Sequence, residues 1–149
     1  MTNPLLADVD WVKERTACST GAIFEVLKAA VSKDVDTRQK AISVASASSM
    51  WPSLTFYPKD TEFRVVLHGF NARKGHEVHK TLAFALDGQE ILVYDENLRP
   101  TLKGIPTLGD DGRCRLKVTV EERELELELE LWQFRRRALE SLFFNADLP

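Results

Sequence analysis

The stretch RCRLKVTVEERELELELEL, residues 113–131, alternates apolar and charged side chains along most of its length. Alternation with a period of two is typical of a β-strand that buries one face, and leucines at every second position would be scattered around a helix. If the chain reverses at Glu121-Glu122, Lys117 faces Glu126 across the strands and the apolar residues also face one another. The stretch therefore predicts an antiparallel hairpin with one buried face and one charged, solvated face.

Four further strands are predicted upstream of this hairpin by the same period, at residues 54–57, 62–68, 79–86 and 89–95. The pair Asp87-Gly88 suits a type I′ hairpin turn, and a reversal there places Phe84 opposite Ile91. Residues 97–112 contain two prolines and three glycines, and we predict that they form a long loop. The sheet is thus predicted to have six strands.

Helices are predicted at both ends of the chain, because apolar residues there recur every three or four positions. The predicted helices are a short one around Val9, one from Ser19 or Thr20, one from Asp36 to Trp51-Pro52 and one over residues 134–144. The third helix is predicted to start at Asp36, because Gln39 follows Asp36 at the spacing of a capping box. The chain is predicted to be one α+β domain, residues 1–149: N-terminal helices, a six-strand antiparallel meander, and a C-terminal helix packed on one sheet face.

Composition narrows the classes of function. The 149 residues include 44% hydrophobic and 29% charged residues, as in a globular protein, and the net charge of −3 does not favour nucleic-acid binding. Cys18 and Cys114 have no metal-binding spacing, so they are predicted to be buried, reduced thiols. Met1 to Asp10 has no signal-peptide pattern, and no apolar run approaches a membrane span, so a cytoplasmic protein without membrane contact is predicted.

The outward side of the second to fourth strands is partly apolar. Val66, Leu92 and Tyr94 lie there beside charged or polar residues such as Arg64 and His68. A sheet face in water is normally polar, and apolar patches are normally covered. An N-terminal helix, a second copy of the chain or a ligand would each explain this composition, so a homodimer or another protein partner is an expected form of assembly.

The three histidines lie within twelve residues, at His68, His76 and His79. Aligning the apolar faces of the second and third strands places Val65 opposite Leu82 and His68 opposite His79. Two imidazoles at that spacing could share a divalent ion such as zinc, with His76 or Glu77 as a third ligand. A small metal-dependent protein or enzyme is therefore one alternative, although no cofactor is predicted from a complete motif.

The same hairpin end is basic, with Arg73 and Lys74 between glycines, so weak phosphate or nucleic-acid binding is a second alternative. No motif pairs a nucleophile with a base, so an enzyme is not the favoured class. We predict a small non-catalytic binding or assembly module that acts through the partly apolar sheet face and the basic, histidine-containing hairpin loop.

Overall fold

A computed structural model describes residues 9–45, 51–120 and 123–149, with backbone only for residues 123–126. The described helices are α1 (Trp11–Ala17), α2 (Thr20–Ala45) and α3 (Leu131–Phe143). The strands are β1 (Ser53–Pro58), β2 (Glu62–Asn71), β3 (His76–Asp87), β4 (Glu90–Tyr94), β5 (Pro100–Leu108), β6 (Cys114–Val120) and β7 (Arg123–Leu129). They form one antiparallel sheet in chain order, so the predicted α+β meander is confirmed with seven strands instead of six.

The additional strand, β5, lies where a long loop was predicted. Its two prolines suggested irregular structure, but Pro100 begins the strand, a position that strands allow for proline. Gly104 lies in close contact with α3, since a Cβ there would lie 3.3 Å from Cε2 of Phe134 and would require that ring to shift. The glycine therefore marks a close approach of α3 to the sheet.

Helix α2 runs unbroken through the predicted third helix start. Asp36 binds Lys40 one turn later, with an Oδ2–Nζ distance of 3.0 Å, instead of capping a new helix. Gln39 uses its Oε1 atom to accept a hydrogen bond of 2.7 Å from the backbone N–H of Leu54 on the edge strand. The two residues of the apparent capping box thus form an ion pair and a helix–sheet contact instead of a cap. Of the first predicted helix, Leu5 lies outside the described residues.

Both long helices pack on the same face of the sheet, which we call the inner face. A chain of aromatic contacts joins Phe24 of α2 to Phe63, Phe63 to Phe84, and Phe84 to Phe134 of α3, with ring centroids 5.2, 4.7 and 6.4 Å apart. All four rings are fully buried. The apolar stripe predicted for the C-terminal helix is confirmed, since its buried members are Phe134, Ala138, Leu139, Leu142 and Phe143.

The predicted pairing of β2 with β3 is confirmed residue by residue, including Val65 with Leu82 and His68 with His79. The pairing of β3 with β4 was predicted two residues out of register. Phe84 lies opposite Val93 instead of Ile91, because the two residues after Asp87 make the turn and Gly88 takes a φ of +62° there. A shift of two residues keeps every side chain on its predicted face.

The β6–β7 pairing shows the same kind of error. Lys117 lies opposite Glu128, not Glu126, because an irregularity between Thr119 and Val120 changes the register near the turn. The predicted alternation of faces is unaffected. The turn residues 121–122 lie outside the described residues.

The prediction of two reduced thiols is wrong. Cys18, at the end of α1, and Cys114, at the start of β6, form a disulfide with a Cα–Cα distance of 5.5 Å. The two residues are 96 positions apart, and sequence spacing alone carries no information about such proximity. Within the described part of the chain, no helix combines the length and the hydrophobicity needed to cross a membrane.

Candidate binding surfaces around the β2–β3 hairpin

The face of the sheet opposite α2 and α3 is called the outer face, and both helices pack on the inner face through Phe24 and Phe134. Helix α2, one of the N-terminal helices considered from the sequence, therefore does not cover the apolar residues of the outer face. Val66 and Tyr94 are partly exposed on this face, whereas Leu92 is only 7% exposed. In the sheet register Leu92 lies between Ala85 and Lys103, so the long side chain of Lys103 lies next to it on the same face.

A groove of about 590 Å³ crosses the outer face of β1–β3. We call it the outer groove, and its lining residues are Tyr57, Lys59, Arg64, Val66, His68, His79 and Thr81. The registers arrange them in rows across the strands. One row holds Tyr57 and Arg64, and another holds His68 and His79. Four residues of strand separate these rows, so basic groups stand roughly 13 Å apart with Val66 between them.

The outer groove is lined by nitrogen-bearing side chains and contains no carboxylate among its lining residues. Arg64 is partly neutralised at the rim, since its Nε lies 3.3 Å from Oε2 of Glu62. The Nε2 atom of His68 lies 3.5 Å from the hydroxyl of Thr55, a contact at the limit of hydrogen bonding. Donors at two ends and an apolar middle suit an elongated ligand with negative charges.

The third histidine does not join this groove. His76 lies on the inner side of the hairpin end, where its Nε2 atom is 3.0 Å from Oδ1 of Asp147 in the C-terminal segment. The histidine trio predicted as a metal site is thus divided, with His68 and His79 on one face and His76 on the other. Across residues 9–45, 51–120 and 123–149, no group of three or more histidine, cysteine, aspartate or glutamate residues is arranged to hold a metal ion.

A second, smaller pocket of about 270 Å³ lies at the end of the hairpin, and we call it the hairpin-end pocket. Its lining residues are Trp51, Asn71, Arg73, Lys74 and Ala146. Asn71 is 1% exposed and organises the wall. Its Oδ1 atom accepts from the backbone N–H groups of Arg73 and Lys74 at 3.0 and 3.2 Å. The two basic side chains are therefore carried by a turn with a fixed backbone.

The C-terminal segment closes one side of this pocket through Asp147. The Nδ2 atom of Asn71 donates to Oδ1 of Asp147 at 3.0 Å, and Nζ of Lys74 lies 3.7 Å from the same oxygen. Burial acts to raise the pKa of Asp147, but the Asn71 hydrogen bond and the charges of Lys74 and His76 outweigh it, so the pKa is lowered. Asp147 is therefore an ionised carboxylate that neutralises part of the Lys74 charge.

Arg73 and Trp51 have unused binding capacity. Arg73 has no carboxylate partner among the described residues, and its guanidinium carbon lies 5.8 Å from the centroid of the Trp51 indole. The Nε1 atom of Trp51 is buried and has no hydrogen-bond partner among the residues that the structure describes. A buried donor without a partner costs about 1–3 kcal/mol. In the sequence, Trp51-Pro52 indicated only a helix end, so the tryptophan was missed as a site residue.

A cleft with more apolar lining lies elsewhere, between α2 and α3, with a volume of about 530 Å³. Its charged groups are used within the fold. Arg135 Nε lies 2.7 Å from Asp34 Oδ2, and Arg38 Nε donates to the carbonyl of Phe143 at 2.7 Å. The cleft is consequently a helix–helix seam with satisfied charges, and it is a weaker candidate than the outer groove.

No family model, curated protein or solved structure matches this chain.

Proposed function

We propose that the protein is a non-catalytic binding module whose outer groove takes an extended acidic segment of a partner protein. One observation carries this proposal: two histidines, a lysine and an arginine line an open groove that has no carboxylate among its lining residues, and Glu62 lies at the rim beside Arg64. Such a surface repels cationic partners and attracts anionic ones, so it supplies specificity and a faster association rate. The apolar Val66 in the middle supplies contact area that charges alone do not give.

The dimensions of the groove also favour a peptide chain. Alternate residues of an extended peptide point to the same side and are roughly 7 Å apart, so acidic residues four positions apart span roughly 13 Å. That span equals the separation of the Arg64 row from the His68 row along β2. An acidic segment with an apolar residue between its charges would therefore contact both rows and Val66 together.

The proposal is tested by fluorescence anisotropy with a labelled peptide that repeats Glu-Ser-Val-Ser, in which glutamates four positions apart and the valine between them point to the same side. We expect the Lys59→Gln, Arg64→Gln double variant to raise the dissociation constant about tenfold, the loss expected for two exposed charges. Lys117→Gln is the matched control, because Lys117 is an exposed lysine on the same sheet face, several strands away. A lysine–valine peptide should not bind.

Three outcomes would overturn the acidic-peptide proposal. Equal affinity of the double variant and the wild type would show that the charges of the groove do not contribute. Tighter binding of a single-stranded oligonucleotide, with a steep loss of affinity on adding salt, would assign the groove to nucleic acid. A folded dimer that loses peptide binding as protein concentration rises would assign the outer face to a second copy of the chain.

Metal binding by His68 and His79 remains an alternative proposal, supported by their direct opposition across β2 and β3. Calorimetric titration with zinc tests it. The alternative requires zinc binding that His68→Ala abolishes and that a chelator reverses, whereas His76→Ala should leave it intact because His76 lies on the other face.

The cytoplasmic location stays a prediction, and one observation opposes it. Disulfides persist mainly in oxidising compartments, and Cys18 is bonded to Cys114. We infer that the protein works in such a compartment. Alkylation of the protein in intact cells tests this, because a modified Cys18 would show that the thiols are reduced there.

A further inference from the structure

We propose that the hairpin-end pocket is a second binding site, which takes a carboxylate or phosphate oxyanion as a hydrogen-bond acceptor for the Trp51 indole. This site is on the inner side of the β2–β3 hairpin, and it is independent of the outer groove on the opposite face. Three features converge on it: a buried donor without a partner, an arginine without a carboxylate partner in the described residues, and a pocket that both residues line.

The chemistry of the ligand follows from what the pocket leaves unused. The backbone N–H groups of Arg73 and Lys74 are already bound by Asn71 Oδ1, so the turn offers its side chains and not its backbone. Every free polar group is then a donor: the indole N–H, the guanidinium of Arg73 and the remaining N–H bonds of Lys74. A ligand that only accepts, such as an oxyanion, satisfies all three.

Charge and volume limit the ligand further. Lys74 already lies 3.7 Å from the carboxylate of Asp147, so Arg73 supplies the net positive charge of the pocket. A volume of about 270 Å³ holds a small ion or one end group of a larger molecule. Arginine also binds both carboxylates and phosphates through two parallel hydrogen bonds, which matches an end group with two or more oxygens.

Arg73 also provides a means of access to the buried indole. Its side chain is exposed, and its guanidinium lies over the ring of Trp51 in the structure. On binding, the guanidinium moves from the ring to the oxyanion, and an oxygen of the ligand reaches Nε1. The cation–π contact that is lost is weak at an exposed site, about 0.5–1 kcal/mol, and a charge-assisted pair replaces it.

Nuclear magnetic resonance of the indole N–H groups tests the proposal directly. The chain has three tryptophans, and Trp51→Phe assigns the Trp51 signal. Titration with sodium phosphate or sodium acetate, at constant ionic strength held with sodium chloride, should move the Trp51 indole proton downfield and reach saturation. The signals of Trp11 and Trp132, both exposed and remote from the pocket, should not move.

Variants distinguish binding in the hairpin-end pocket from non-specific effects of the added ion. We expect Arg73→Gln to raise the dissociation constant for phosphate at least about tenfold, as for loss of one charge-assisted hydrogen bond. Lys80→Gln, on β3 outside the pocket, should leave it unchanged, and the Lys59→Gln, Arg64→Gln variant should retain the Trp51 shift even where it loses peptide binding. An acetylated tripeptide with a free C-terminal carboxylate, compared with its amide, distinguishes an end group from a free ion.

Two results would overturn the proposal. One is the absence of a saturable Trp51 shift with phosphate, acetate and the tripeptide. The other is equal affinity of the wild type and Arg73→Gln, with far-ultraviolet circular dichroism showing that the variant is folded. Trp51→Phe keeps an aromatic ring but removes the N–H donor together with the five-membered ring of the indole, so it should also weaken binding measured by calorimetry, with circular dichroism as the check that the variant is folded.

Discussion

Removing the disulfide by the double substitution Cys18→Ala, Cys114→Ala is expected to lower the free energy of unfolding by about 2–4 kcal/mol. The bond joins residues 96 positions apart, so it restricts a large part of the unfolded chain. For a closed loop of about 100 residues, the chain-entropy estimate is about 4.7 kcal/mol at 25 °C. We expect less than this limit because unfolded chains keep residual structure that already restricts the loop.

The structure also predicts which segment is released locally when the disulfide is removed. Helix α1 contains no buried residue, so little apolar burial holds it to the domain. Apart from its contacts with α2, its described links to the domain are the disulfide that follows it and Val9, which lies beside Gly112. The backbone N–H of Lys13 caps the helix locally by donating to Asp10 Oδ1 at 3.1 Å. Loss of the bond should therefore release α1 while the sheet stays folded.

Two assays separate the global effect from the local effect. Urea unfolding followed by circular dichroism gives the free energy, and a lower midpoint with an unchanged slope is expected for the double variant and for the reduced wild type. Limited trypsin digestion should cut at Lys13 or Arg15 faster in both than in the oxidised protein. Equal midpoints in all three proteins, or two free thiols in the unfolded oxidised protein, would refute the reasoning.

Three further predictions concern the core, a glycine within strand β2 and an exposed ion pair. Phe63→Ala should lower the free energy of unfolding by about 3–5 kcal/mol in urea titrations, because the ring is fully buried among other aromatic rings. Gly69→Ala should cost about 1–3 kcal/mol more than Gly75→Ala, since a Cβ at Gly69 (φ +136°) meets backbone 3.0 Å away and one at Gly75 meets open space; equal losses would contradict this. A hydrogen bond from Arg115 lowers the pKa of Asp111 from 3.8 to about 2, so its stabilising effect is present above about pH 4 and disappears as the pH falls through 2. The difference in Tm between wild type and Asp111→Asn should shrink over that interval, and a difference that grows would show the opposite sign.

The side-chain alternation of this chain predicted the faces of the strands correctly, but of three predicted hairpin registers it predicted one correctly, that of β2 with β3. Phe84 and Lys117 were both placed on the correct face, yet both were given partners two residues away from the observed ones. Alternation has a period of two, so it cannot distinguish registers that differ by two. The register depends on the turn. In the turn between β3 and β4, the positive φ of Gly88 determines which two residues reverse the chain.

Tertiary contacts determine the secondary structure of two segments whose local sequence is ambiguous. β5 contains glycine and proline, and it is a strand because it pairs with both neighbours and because Gly104 lets Phe134 approach. Helix α2 passes through an apparent start signal at Asp36 because its buried stripe continues to Val35 and Ile42. Local propensity is a weak prior, and packing overrides it at both places.

Of the two candidate sites, one could be predicted from the sequence and the other could not. Pairing of β2 with β3 could be derived from sequence, so the opposition of His68 and His79 on one face was predictable. The hairpin-end pocket was not, since it needs Trp51 from before β1 and Asp147 from after α3 beside the turn at Asn71. Long-range closure of this kind leaves no periodic signal in a single sequence.

The β2–β3 hairpin is therefore the element that links both proposals, because it presents a basic surface on each face. Its outer side is open and accepts an extended partner, whereas its end is fixed by Asn71 and closed by the C-terminal segment. The two sites share strands but no lining residue, so substitutions at Arg64 and Arg73 should act additively unless ligand binding moves the hairpin as a unit. A measured coupling between them would consequently report motion of the hairpin and not direct contact.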